Sequence, residues 1–211
     1  MFQFFASGVA DDRCRKGIIQ PRWAGYTVTG VLFMKKSIST WQMVGFVFTG
    51  VLGTLLHFVF DWTDGSMIAA VFSAVNESIW EHIKLLIYPM LLFALVEYKV
   101  WGREVTCFWQ VKLFGLLAGI VLIPGLYYTY TGILGKSADW FNITIFFIVA
   151  AAVYYMETKL LQKESHCHIS NRLVGMLVIL LPVVFTLLTF YPPHIPLFQD
   201  PVTYTYGFFE T

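Results

Sequence analysis

An all-α integral membrane bundle, with five spans and one short re-entrant or interfacial helix, is the architecture to expect from these residues. Composition points there first: 57% of the 211 residues are hydrophobic and only 13% are charged. Mean hydropathy is +0.67. A water-exposed domain carries roughly one quarter charged residues on its surface, and this chain cannot supply them. The second observation is five long apolar runs, at 40–62, 83–101, 105–128, 140–157 and 173–191. At about 1.5 Å of rise per residue, such runs cross about 30 Å of hydrocarbon as helices. The third is their texture. They are continuous rather than alternating, which excludes strands of a membrane barrel.

Taken in order, residues 1–33 differ from the rest. Asp11, Asp12, Arg13, Arg15, Lys16 and Arg22 crowd together, and no periodic apolar face persists. This stretch reads as a disordered cytoplasmic leader or a mis-assigned start, and it lacks the apolar core of a cleavable signal peptide. Met34-Lys35-Lys36 opens a single transmembrane domain, 34–211. After the first run, Asp64-Gly65-Ser66 signals a turn and a helix start. The apolar stretch 67–75 that follows is too short to cross, so it re-enters or lies at the interface. Pro89, Pro124 and Pro182 fall inside spans, where neighbouring helices can satisfy the freed carbonyls.

Lysine and arginine set the orientation. With the N-terminus cytoplasmic, the inner segments hold Arg13, Arg15, Lys16, Arg22, Lys35, Lys36, Lys99, Arg103, Lys159, Lys163 and Arg172. The outer segments hold Lys136. The positive-inside rule therefore predicts an inner-membrane protein with a cytoplasmic N-terminus and an extracytoplasmic C-terminus. Lys112 inside the third run calls for a carboxylate partner or a snorkelling path. A net charge of +1 gives no field for nucleic acid; the partner expected is the bilayer, with a lipid or small-molecule ligand at the outer face. Cys14, Cys107 and Cys167 are an odd set without metal-ligand spacing and imply no disulfide framework.

That topology gathers polar residues distant in sequence at the outer face. His57 and Asp61, four apart, share a helical face; Glu77 and Glu81 repeat the spacing, with Lys84 on the same stripe. Imidazole and carboxylate pairs at this spacing can chelate a divalent metal such as zinc. The candidate ligands are His57, Asp61, His82, His194 and Asp200, and the candidate catalytic residues are Glu77, Glu81 and Ser78. A metal-activated water beside a glutamate base would then act as nucleophile. A plainer reading stands beside this one. Ser78-Ile79-Trp80-Glu81 is a capping box ahead of an apolar run, and helix N-termini favour acidic residues. Grouped carboxylates in low dielectric demand either a cation or a protonated member. No nucleotide-binding loop, nucleophile elbow or HExxH motif is present.

The tail, 191–207, contains Pro192, Pro193, Pro196 and Pro201, which hold it extended, yet it is too apolar for a solvated linker. It is expected to fold back over the outer mouth as a plug or lid, or to anchor at the interface. Through Asn76-Glu77-Ser78-Ile79-Trp80-Glu81-His82 and the Pro192-Pro193-His194-Ile195-Pro196 to Asp200-Pro201 segment, the chain resembles a family of uncharacterised bacterial polytopic membrane proteins. That resemblance implies a site shared by the two segments and no activity. The inventory of His57, Asp61, Ser78, His82, His194 and Asp200 is also similar to that of membrane hydrolases related to alkaline ceramidase, which use Ser, Asp and His around zinc. Their motif order is not reproduced, so this is an analogy. Two functions stay open: a metal-dependent hydrolase of a lipid or lipid-linked substrate, or an ion- or solute-binding or transport protein without catalysis.

Overall fold

The computed structural model describes residues 28–105, 107–163, 167 and 169–210, with side chains from residue 36. The expectation for residues 1–27 lies outside the described residues. Six α-helices follow in order: α1 (Val28–Trp62), α2 (Met67–Phe72), α3 (Ile79–Val100), α4 (Phe108–Leu134), α5 (Asp139–Gln162) and α6 (Asn171–Phe190). Five of them are long and apolar enough to cross a membrane, and α2 is the short extra helix. A single 3-10 turn, Gly102–Glu104, joins α3 to α4.

Burial differs sharply along the chain. The most apolar window of α3 is 67% buried, against 17% for α6, so α3 is the central helix. Its inward residues Ile83, Leu86, Ile87 and Met90 pack with Leu116, Ile123, Val149, Val153 and Phe185. Around this core the outward faces keep large apolar side chains exposed, among them Val47, Val51, Val121, Ile148, Ile179 and Leu187. In water such a girdle would drive association; in a bilayer it is the lipid-facing surface.

Helix ends carry the expected signals. Ser78 caps α3 by accepting the Glu81 N–H at 3.4 Å. The second half of the capping box is not made: the Ser78 N–H goes to Asn76 Oδ1, and the Glu81 carboxylate takes the Val75 N–H at 3.1 Å. Cys107 and Cys167 form a disulfide between the α3–α4 and α5–α6 connections, with Cα atoms 5.4 Å apart. The cysteine spacing gave no sign of it, because the bridge depends on two connections that only the helix packing brings together.

The tail crosses the end of the bundle at which α3 begins. Trp80 donates its backbone N–H to Leu197 O at 3.1 Å, and its ring lies 4.8 Å from that of Phe198, tilted by 35°. Phe208 donates to Thr189 O at 3.0 Å, which seats the last turn on the end of α6.

Candidate metal centre

Three side chains meet beneath that tail. His57 comes from the last turns of α1, Glu77 from the turn before α3, and His82 from the first turn of α3. Glu77 Oε1 lies 3.9 Å from His57 Nε2, and Glu77 Oε2 lies 3.4 Å from His82 Nε2. One ligand atom from each of the three falls within 4.8 Å of the others. Tetrahedral zinc, with bonds of roughly 2.0–2.1 Å, sets its donors about 3.3 Å apart, so small side-chain adjustments close the set around an ion.

The imidazoles are arranged for this. His82 Nδ1 lies 2.9 Å from Ser78 O and donates to that carbonyl, while Nε2 faces Glu77 Oε2 and donates to it when protonated; an ion bound at Nε2 would displace that proton. A backbone carbonyl orienting the second nitrogen is the usual support for a metal-binding histidine. The two rings sit edge to face at 5.3 Å. Gly53, one turn before His57, lets α1 approach α3 closely: a Cβ there would lie 2.6 Å from Leu85 O. The hydrogen bond with His82 holds the Glu77 carboxyl below the usual glutamate range, against the opposing effect of burial. It is therefore an anion at neutral pH, as ligation requires.

The three residues are among those that line a cavity of about 820 Å³. Ser137, just before α5, and Asp139 and Asn142 in its first turn line the same space. Its remaining wall is apolar, with Phe58, Leu85, Ile143, Phe146, Phe147 and Val202. The size lies within the usual range for small-molecule sites. Polar side chains and aromatic rings lining one space suit an amphiphile.

The structure divides the list of residues drawn from sequence. His57, Glu77 and His82 come together. Ser78 is buried and acts as a helix cap. Glu81 is 1% exposed and bound to Lys84 at 2.6 Å. Lys84 also donates to Ala70 O and Thr189 Oγ1, each at 2.9 Å, so all three of its N–H bonds have acceptors. This balanced pair ties α2, α3 and α6 together and leaves Glu81 no reach toward His57. Asp61 is exposed at the end of α1, outside the three-residue group. His194 sits in the tail, 3.5 Å from Glu210 and against Tyr206. Asp200 accepts the N–H groups of Glu77, Val202 and Thr203. Burial would raise its pKa, but these hydrogen bonds outweigh it and hold the carboxyl low. Asp200 is thus the clasp that seats the tail beside Glu77.

The sequence profile described as Family of unknown function (DUF6512) matches residues 32–208. The chain belongs to this family. No curated protein matches the chain, and no solved structure does. Every residue of the DUF6512 chain that forms the three-ligand group or its cavity, from Gly53 to Val202, falls within the matched stretch. So does a second polar cluster that sequence reasoning missed, apart from the lone Lys112. At the opposite end of the bundle, Lys112 lies 2.5 Å from Glu97 Oε2 and 2.6 Å from Glu157 Oε2.

Proposed function

We propose that this protein is a metal-dependent hydrolase that acts at a membrane face on a lipid or lipid-linked substrate. The observation that carries the reading is that His57, Glu77 and His82 meet in the wall of a largely apolar cavity of about 820 Å³. Two imidazoles and one carboxylate with a position left open form the donor set of catalytic rather than structural zinc. A divalent cation held there supplies Lewis-acid polarisation of the scissile group and acidifies a water.

The residues around it have distinct tasks. His57 and His82 would hold the ion through Nε2, with Ser78 O keeping His82 in the correct tautomer. Glu77 would be the third ligand, so a base would come from elsewhere; Asp139, which lines the same cavity, would take the water's proton and return it to the leaving group. Water adds across one ester, amide or phosphoester bond, and an acid and an alcohol or amine leave. Phe58, Phe146 and Phe147 receive the apolar part of the substrate.

A second reading, an ion- or solute-binding protein without catalysis, draws support from the ion pair that removes Glu81 from the acid–base inventory. In either case the cluster of basic residues at the other end of the bundle favours an inner-membrane orientation with this site outside. The test is hydrolysis by purified protein in mixed micelles against lipid esters, amides and phosphodiesters. Product release that scales with bound zinc, and that is lost in His82→Ala, supports the enzyme. Stoichiometric zinc with no product from any class leaves the second reading.

A further inference from the structure

At the end remote from His57, α1, α3, α4 and α5 meet around a closed chain of polar groups. Gln42 Nε2 donates to Glu97 Oε1 at 2.7 Å. Glu97 Oε2 and Glu157 Oε2 both face the Lys112 ammonium, at 2.5 and 2.6 Å. Gln42, Glu97 and Glu157 are 1%, 0% and 0% exposed, and Lys112 is 3% exposed. The other groups against this centre are neutral rings: Phe108 and Tyr154 each sit 5.6 Å from the Lys112 nitrogen, and the Tyr154 hydroxyl is paired with Thr49.

The charges do not balance. Two carboxylates against one ammonium leave a net −1 in a site closed to water, and an uncompensated buried charge is relieved by protonation rather than tolerated. The hydrogen bonds do not balance either. Glu157 Oε1 and Gln42 Oε1 are buried acceptors with no hydrogen-bond partner among the described residues. One proton on Glu157 Oε1 removes the excess charge and gives that oxygen its missing hydrogen.

We infer that the Glu97–Lys112–Glu157 cluster is a proton-binding site, separate from the metal centre, whose exchangeable proton resides on Glu157. Glu97 is the better anion of the two because it also takes the Gln42 amide. Glu157 has Lys112 alone, and its Oε1 is the acceptor without a donor. Room for the neutral acid is built in: any Cβ on Gly115 of α4 would collide with Glu157 Oε1. Since the native site binds a proton that the unfolded chain at neutral pH does not, raising the pH draws the proton off and weakens the fold. The four helices joined here carry His57, His82 and the cavity at their far ends, so the proton bears on the packing of the whole bundle.

The experiment is infrared spectroscopy of the full chain in lipid nanodiscs, reading the C=O stretch of a buried carboxylic acid. Wild type at neutral pH shows the band, it titrates away reversibly as pH rises, and thermal stability falls in parallel. In Glu157→Gln the band is gone and the alkaline loss of stability disappears, because glutamine reproduces the neutral acid. In Glu97→Gln the band is also gone, because the charges then balance and Glu157 ionises; this variant serves if the first does not fold. Absence of the band in wild type, or its survival in either variant, overturns the inference. Neither outcome depends on metal content.

Discussion

Among the described residues two lysines, Lys84 and Lys112, are buried, and the two have opposite surroundings. Lys84 faces one carboxylate, from Glu81, and satisfies its remaining donors on Ala70 O and Thr189. Lys112 faces two carboxylates and leaves acceptors without donors. The first cluster is neutral and saturated, which is what a structural clasp requires. The second carries one negative charge too many and one hydrogen too few. A buried lysine therefore does not identify a functional site. The ledger of charges and hydrogen-bond donors around it does, and by that ledger the Lys84 cluster holds the fold while the Lys112 cluster holds a proton on Glu157.

Breaking the neutral cluster has the largest expected effect. Lys84→Met strands the Glu81 carboxylate at 1% exposure and should cost about 3–5 kcal/mol of stability. The double variant Lys84→Met/Glu81→Leu should recover most of that loss, since replacing a whole buried pair with apolar residues is close to neutral. Chemical denaturation in detergent micelles reads both. If Lys84→Met is silent, the clasp is not structural and the contrast with Lys112 fails. Glu157→Gln, by comparison, should leave stability at neutral pH unchanged, because glutamine reproduces the neutral acid.

A smaller effect is expected where backbone packing positions the metal ligands. Gly53→Ala puts a methyl group 2.6 Å from Leu85 O and 2.8 Å from the Phe146 ring, forcing α1 from α3 and His57 from His82. Zinc affinity should fall by about 10–100-fold, the range seen when support behind metal ligands is lost. Competition with a chelator measures it. Unchanged affinity would mean that the close approach of α1 and α3 does not set the ligand geometry.

Much of this architecture was legible in sequence. The five apolar runs, the short helix after Asp64-Gly65-Ser66 and the folded-back tail all follow from hydrophobic length and turn chemistry. The site was legible only in part, and Glu77 and Glu81 show why. Their spacing of four implies a shared helical face, but α3 begins at Ile79. Glu77 lies in the preceding turn, outside that rule, and turns toward His57 and His82; Glu81 is on the helix and turns inward to Lys84. The partners of Lys112 were hidden for another reason. Glu97 and Glu157 are brought to it by packing among three helices, which no local pattern encodes.

The cysteines sharpen the same contrast between the two ends. The Cys107–Cys167 bridge lies at the end rich in lysine and arginine, whereas disulfides persist in oxidising compartments outside the cytoplasm. The two signals disagree. A topology reporter tests which signal holds: with the N-terminus cytoplasmic, as the charge asymmetry predicts, a periplasm-active reporter fused after Thr211 should be active. An inactive periplasmic reporter, together with an active cytoplasmic one, would invert the topology and turn the metal centre inward.

Metal content tests the central claim most directly. Full-length protein purified without added chelator and equilibrated with zinc should retain about one ion per chain, the load of a single three-ligand site. His57→Ala and His82→Ala should each weaken binding by more than about 100-fold, beyond the loss produced by an outer-shell change. His194→Ala and Asp61→Ala, outside the three-residue group, should retain the ion. Zinc that is absent from wild type, or that survives both His57→Ala and His82→Ala, would contradict the account.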